Sequence, residues 1–282
     1  MSKILDGKAV ALSVKQKVAD EIKKLSDEGI KAGLAVILVG DNPASKIYVN
    51  NKKKACEETG IRSFQYILDE KTTETELLSL IETLNNDSNV NGILCQLPLP
   101  SHIDEQAVIS AISPKKDVDA FHILNVGKIM VGNFDFLPCT PAGIIEILDY
   151  YNIPIEGKNC VVIGRSNIVG KPMAMLFLHR NGTVTVCHSK TKNLSEITRN
   201  ADILVSAVGK AEFVTADMVK PGAVVIDVGM NRKDGKLCGD VCFGEVSKVA
   251  GYITPVPGGV GPMTIAVLMK NTLTAVKRAN GR

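Results

Sequence analysis

Short runs of β-branched and aliphatic residues alternate along this chain with longer stretches whose apolar positions recur every three to four residues. Gly33-Leu-Ala-Val-Ile-Leu-Val-Gly40 and Asn91-Gly-Ile-Leu-Cys-Gln-Leu97 read as strands apolar on both faces. Val14, Val18, Ile22 and Leu25 keep helical spacing, and Thr73-x-x-Glu76 opens a further helix as a capping box. Strands that are apolar throughout belong to parallel sheets covered by helices on both faces. The chain is therefore expected to be α/β.

The pattern restarts after residue 139. Thr140-Pro141 reads as a helix start, with Thr as N-cap and Pro in the first helical position. Four buried-strand candidates follow, Cys160–Ile163, Thr183–Cys187, Asp202–Val205 and Ala223–Asp227, spaced to leave room for one helix between each pair. That is the rhythm of a doubly wound nucleotide-binding sheet. Met263 to Arg282 reads as a last helix returning to the first domain. The expected division is a catalytic domain over residues 1–139, joined by helix 263–282, and a Rossmann-type domain over 140–262.

Composition narrows the function classes. The 282 residues are 45% hydrophobic and 22% charged, ordinary for a soluble globular chain, which excludes disorder and coiled-coil rods. A net charge of +3, with 4% aromatics and no Trp, argues against nucleic acid. No apolar run approaches the roughly 18 residues of a membrane span. Asp6 and Lys8 stand where a signal peptide needs its apolar stretch, so a cytoplasmic location is expected. Seven cysteines without a Cys-x-x-Cys point to free thiols, and four histidines without ligand spacing predict no metal site.

The first turn of the second domain reads Gly164-Arg165-Ser166-Asn-Ile-Val-Gly170, after a strand and before a helix. Gly164 permits a tight turn, Gly170 permits close helix–strand packing, and the helix N-terminus offers N–H groups to a pyrophosphate. Ser166 stands where the dinucleotide fingerprint has its middle glycine, and a plain structural turn is the alternative. The next strand ends Val186-Cys-His-Ser189-Lys190 without the carboxylate that NAD binders use on the ribose. A 2′-phosphate could instead meet Ser189 and Arg165, so NADP is the expected cofactor. Ala207-Val-Gly209 and Gly229-Met230, at the ends of the third and fourth strands, lie where adenine and nicotinamide ribose would rest.

Candidate chemistry in the first domain starts with Tyr48 and Lys52, which share one helix face. A hydroxyl beside an amine can orient it and relay a proton, although Lys52-Lys53-Lys54 also reads as a solvated charge run. Gln96 ends an apolar strand, where open α/β sheets bind ligands. Asp117-Val-Asp119 places two carboxylates in a loop, as ligand groups or as turn formers. Pro255-Val256-Pro257-Gly258-Gly259 fixes an unusual backbone course, either against a flat ligand or as a sharp return.

In combination, Tyr48-x-x-x-Lys52, Gln96-Leu-Pro98, Asp117-Val-Asp119, Gly164-Arg-Ser-x-Ile-Val-Gly-x-Pro172 and Pro255-Val-Pro-Gly-Gly-Val-Gly-Pro-Met-Thr264 resemble the bifunctional methylenetetrahydrofolate dehydrogenase/methenyltetrahydrofolate cyclohydrolase family. The resemblance implies an NADP-dependent oxidation and a hydrolysis in one cleft between the domains. It implies Lys52 as general acid/base, Tyr48 and Gln96 as its orienting partners, and Asp119 on the pterin. Pro255, Val256, Pro257, Gly258 and Gly259 would form a folate wall, and Gly164, Arg165, Ser166, Ser189 and Met230 would hold NADP. A homodimer joined through the nucleotide domains is implied as well, as are cis bonds at Leu97-Pro98 and Val256-Pro257. One departure stands out: the family usually has Gly where this chain has Ala120, which would cost of order 1 kcal/mol if that position needs positive φ. An NADP dehydrogenase of another small metabolite on the same plan is the alternative reading. It leaves Tyr48, Lys52 and Gln96 without employment.

Overall fold

The structure is a computed structural model that describes residues 2–282. Its first half runs β1 (Lys3–Ile4), α1 (Gly7–Asp27), β2 (Gly33–Val39), α2 (Pro43–Thr59), β3 (Arg62–Leu68), α3 (Glu74–Asn86), β4 (Gly92–Cys95), α4 (Glu105–Ala111) and α5 (Ile123–Met130). The second half runs α6 (Cys139–Tyr150), β5 (Asn159–Ile163), α7 (Gly170–His179), β6 (Thr183–Cys187), α8 (Leu194–Thr198), β7 (Ile203–Ser206) and β8 (Val224–Asp227). It ends with β9 (Asn231–Lys233), β10 (Lys236–Cys238), α9 (Phe243–Val249), β11 (Tyr252–Ile253) and α10 (Val260–Ala279).

The chain forms two compact units. One holds residues 12–137 and 265–282, built on a parallel sheet of order β3-β2-β4. Every residue of β2 is buried, because the strand is central and covered on both faces. Ile37, Ile81 and Ile93 sit in the core between this sheet and α3. Thr73 caps α3 as expected: its hydroxyl accepts from the Glu76 N–H, and Glu76 accepts from the Thr73 N–H at 2.8 Å. Val14, Val18, Ile22 and Leu25 form the buried stripe of α1. Most of α10 belongs to this unit, so the last helix returns to the first domain.

The other unit holds the residues through Ala11 and 138–264, on a six-stranded sheet of order β1-β11-β8-β7-β5-β6. All of its pairings are parallel, the Rossmann-like arrangement the four spaced apolar runs predict. Its core includes Val161, Leu204, Val225 and Ile253. Residues 2–11 group here rather than with the domain that follows them. Lys3 and Leu5 donate their N–H groups to Gly251 and Ile253 at 2.8 and 2.9 Å, and the fully buried Leu5 anchors the added strand. Two residues are too few for strand periodicity, which is why β1 has no sequence signature.

The start of α6 corrects another expectation. Pro138 occupies the N-cap without a side-chain bond, and the helix begins at Cys139. Thr140 lies inside the first turn, where its hydroxyl pairs with that of Thr264 at 3.2 Å. Among the described residues no helix is long and apolar enough to cross a membrane, and no His, Cys, Asp and Glu group could hold a metal ion.

Candidate active site

Lys52 emerges from the third turn of α2 and is 8% exposed, unlike the exposed Lys53 and Lys54 beside it. The charge run therefore splits: two lysines are solvated and one points inward. Gln96, just past the end of β4, receives Lys52. The amide Nε2 donates to the Leu97 carbonyl at 2.6 Å, which turns Oε1 toward Lys52 Nζ, also at 2.6 Å. Gln96 itself is fixed by its N–H, which donates to the Ile37 carbonyl at 2.8 Å. Tyr48 stands one turn before Lys52 and is 38% exposed, leaving its ring accessible to a ligand. The Leu97-Pro98 bond that follows is cis.

The two carboxylates of the Asp117-Val-Asp119 segment have separate tasks. Asp117 is 3% exposed and accepts from the N–H groups of Phe121 and His122 and from Asn125 Nδ2, at 3.3, 2.9 and 2.8 Å. It is a turn former, and desolvation pushes its carboxyl above the ordinary value despite those donors. The segment runs beside β4, with the Ile93 N–H donating to Lys116 O at 2.8 Å. From α10, Asn271 Nδ2 ties down the carbonyls of Val118 and Leu137 at 2.8 and 2.9 Å. Asp119 is only half-buried. The charges of Asp119 and Lys52 both bear on Cys95, at the end of β4, whose thiol burial pushes up to about 12. Lys52, Gln96 and Asp119 thus converge on the C-terminal end of β4. Ala120 adopts φ +59° and is fully buried, so the substitution does carry the left-handed strain its position threatened.

In the other unit, Gly164 closes the β5–α7 turn at φ +130°. A Cβ there would meet Ala207 O at 2.5 Å, and one on Gly170 would meet Gly164 O at 2.2 Å, so the cradle accepts only glycine at both positions. The Ser166 hydroxyl accepts from the N–H groups of Val169 and Gly170 at 3.2 and 3.3 Å, capping the turn where a middle glycine is usual. Arg165 and Ser189 are both exposed. Ser189 is held out by a tight turn in which the N–H of His188 donates to Thr191 Oγ1 and that of Lys190 to His188 Nδ1, at 2.8 and 3.1 Å. No carboxylate stands at the end of β6. These features fit a dinucleotide that carries a 2′-phosphate.

Met230 is half-exposed beyond β8, with its sulfur 3.8 Å from where a Gly261 Cβ would be. The Pro255–Gly259 segment contains the cis Val256-Pro257 bond and turns at Gly258 with φ +107°. It makes the sharp return into α10, and a Cβ on Gly7 would lie 1.7 Å from Gly259 O.

Sequence reasoning overlooked Asp227 and Asp240, which are buried between β7, β8 and the β9–β10 hairpin and together accept eight hydrogen bonds. The available signal was local: Cys238-Gly-Asp240-Val-Cys242 sets a lone acid among small and apolar neighbours.

A parallel-sheet unit bearing a buried lysine–glutamine pair, coupled in one chain to a Rossmann-like unit, defines a two-domain, dinucleotide-dependent α/β enzyme. Residues 5–119 match the family model for the catalytic domain of tetrahydrofolate dehydrogenase/cyclohydrolase, and residues 138–280 match the model for its NAD(P)-binding domain. The chain belongs to the tetrahydrofolate dehydrogenase/cyclohydrolase family. It is 61% identical over 281 residues to the bifunctional protein FolD of Ruminiclostridium cellulolyticum, covering 99% of each chain. The solved FolD methylenetetrahydrofolate dehydrogenase/cyclohydrolase of Campylobacter jejuni is 53% identical, with a TM-score of 0.96 over 99% of each chain. The Trypanosoma brucei enzyme, solved with NADP cofactor and inhibitor, is 39% identical with a TM-score of 0.95, over 100% of this chain and 99% of its own.

Proposed function

We propose that this chain catalyses two consecutive reactions on one-carbon tetrahydrofolate: NADP-dependent oxidation of methylenetetrahydrofolate to methenyltetrahydrofolate, then hydrolysis of that cation to formyltetrahydrofolate. The observation that carries the reading is Lys52 Nζ, buried and 2.6 Å from Gln96 Oε1, in a chain whose family models span both domains. Folate belongs to the unit of residues 12–137 and 265–282, with Asp119 accepting hydrogen bonds from the amino-pyrimidine ring.

NADP, when bound, supplies the hydride acceptor. Gly164, Ser166 and Met230 line its seat, while Arg165 and Ser189 take the 2′-phosphate. No protein base is needed to oxidise the one-carbon bridge, because a hydride departs with its electron pair and leaves a cation. Hydrolysis is different. Water adds to the methenyl carbon, a C–N bond of the ring opens, and one proton is released for each water consumed. Lys52 moves that proton, with Gln96 fixing the direction of its Nζ and Tyr48 at the open side.

The chain is further proposed to work in the cytoplasm as a homodimer. Strand β6 pairs on one side only, and Val186 and Leu178 are exposed beside it, which makes this edge the natural seam. Val186→Lys should shift the light-scattering mass toward the monomer.

The test is spectroscopic. Methylenetetrahydrofolate with NADP should generate methenyl absorbance and NADPH together, and added methenyltetrahydrofolate should decay faster than without protein. A positioned general base contributes about 10²- to 10⁴-fold. Lys52→Gln should therefore lower hydrolysis by at least about 10²-fold and leave much of the oxidation. Near wild-type hydrolysis by that variant would remove Lys52 from its role. Reduction of NADP by another small metabolite but not by this folate would favour the alternative dehydrogenase.

A further inference from the structure

Asp240 has a surface exposure of 0% and no cationic partner among the groups bonded to it. Amide groups and one hydroxyl hold it instead. Oδ2 accepts from the N–H groups of Val208 and Gly209 at 2.7 and 3.2 Å and from the Ser206 hydroxyl at 3.3 Å. Oδ1 accepts from the N–H of Lys210 at 3.0 Å and from Asn231 Nδ2 at 2.9 Å. Three consecutive backbone N–H groups curl around one carboxylate, the nest geometry that ordinarily receives a bound anion. Here the anion is part of the chain.

The loop so held is the one that leaves β7. On one side it abuts the phosphate-binding turn, since Ala207 O sits 2.5 Å from where a Gly164 Cβ would be. On the other it reaches the loop that leaves β8, where a Cβ on Gly229 would lie 2.2 Å from Asp240 Oδ1. Asp227 locks that second loop. It accepts from the N–H groups of Gly229, Asp240 and Val241, each at 2.9 Å. Between the two, Gly209 turns at φ +66° with open space where a side chain would stand. A flat group could lie there against bare backbone.

We infer that Asp240 is a positioning residue for NADP: through the 207–210 and 229–230 loops it sets the surface on which the adenosine and nicotinamide-ribose parts rest, without touching the cofactor itself. The inference rests on the NADP-dependent reading above and deepens it. An unfixed loop would have to be ordered at the moment of binding, and that ordering weakens affinity.

The two activities make the test, because hydrolysis needs no cofactor. In full-length Asp240→Asn, whichever oxygen becomes an NH2 group confronts two N–H donors, joined on the Oδ2 side by the Ser206 hydroxyl. NADP affinity measured by calorimetry, and the KM for NADP, should weaken at least tenfold, while cyclohydrolase activity on added methenyltetrahydrofolate stays within about threefold. Ser206→Ala and Asn231→Ala each remove one donor and keep the carboxylate. They should weaken NADP binding several-fold, with hydrolysis again unaffected. Wild-type NADP affinity in Asp240→Asn overturns the inference. So does a parallel fall of both activities in Asp240→Asn with wild-type NADP binding in both milder variants, since the carboxylate would then serve only the fold. Failure of the functional reading shows separately, as wild-type protein that binds NADP yet leaves methylenetetrahydrofolate unoxidised.

Discussion

Replacing Asp117 by Ala should weaken both stability and folate binding, although the carboxylate proposed to meet folate is Asp119. The side chain accepts three hydrogen bonds inside the turn that carries Asp119. Asn125 would keep its second acceptor, Pro114 O at 3.0 Å. The N–H groups of Phe121 and His122 would keep none, and His122 is buried. An unsatisfied buried donor costs about 1–3 kcal/mol. Phe121 is only half-buried and can turn to water, so a total of about 2–4 kcal/mol follows. Asp117→Asn retains one carbonyl oxygen and should lose roughly half as much. Urea unfolding reads both values.

The functional part follows from the same bonds. Complete loss of a charge-assisted contact from Asp119 would remove about 1.5–3 kcal/mol, or about 10- to 150-fold in folate KM. A loosened turn should reach the lower end, about tenfold, with kcat at saturating folate little changed. The pH dependence has a definite sign. Burial raises the Asp117 carboxyl in the folded state. Its contribution is then fully present below the unfolded pKa and declines as pH rises through the folded one. The deficit of Asp117→Ala should be larger near pH 4 than near pH 7. Wild-type stability together with wild-type folate KM in Asp117→Ala would refute the whole chain of reasoning.

Arg165→Ala should lower the preference for NADP over NAD by about 10- to 150-fold, the worth of one charge-assisted phosphate contact; equal losses for both cofactors would assign Arg165 to the pyrophosphate or the fold. Native protein should expose no more than two of its seven thiols to an alkylating reagent at pH 8, because all but Cys238 and Cys242 are buried and burial pushes Cys56, Cys95 and Cys160 up to about 12. Fast reaction of a third thiol would contradict the packing. Ala120→Gly relieves about 1–2 kcal/mol of left-handed strain, but gives back about 0.5–1 in chain entropy and about 0.8 for a buried methyl. The net change should stay within about 1 kcal/mol, and a loss above about 2 kcal/mol by urea unfolding would show that the φ +59° backbone is not strained.

Legibility in the sequence followed the range of each signal. Period and capping are local, so the buried stripe of α1, the Thr73 box and the four strands of the second domain were readable. Strand β3 was not, because in Arg62-Ser-Phe-Gln-Tyr-Ile-Leu68 the polar Ser63 and Gln65 interrupt the apolar run that marks a central strand. The α6 start lies one to two residues before the Thr-Pro pair, a shift not legible locally because that pair satisfies the local rule equally well off register. The proposed site lysine is visible in the sequence only as one of three. What separates Lys52 from its neighbours is the burial of a single helix face against β2 and β3, a tertiary fact.

Carboxylates were the least legible groups, for a reason that applies in both units. A sequence reading treats an acid near a strand end as a ligand for substrate, cation or ribose. Asp117, Asp227 and Asp240 instead spend their charge on backbone N–H groups of the loops that follow those ends. A loop beyond a strand has lost its ladder partners, and an orphaned buried N–H costs about as much as a lost hydrogen bond. One ionised oxygen can satisfy two or three such donors at charge-assisted strength, which no neutral side chain matches. The surface left over is carbonyls, glycines and the half-buried Asp119, and it is this remainder that a ligand meets. Acids that build a site are therefore the buried ones with several amide donors. In the first of the two units, the acid proposed to use it, Asp119, is the neighbour that Asp117 holds in place.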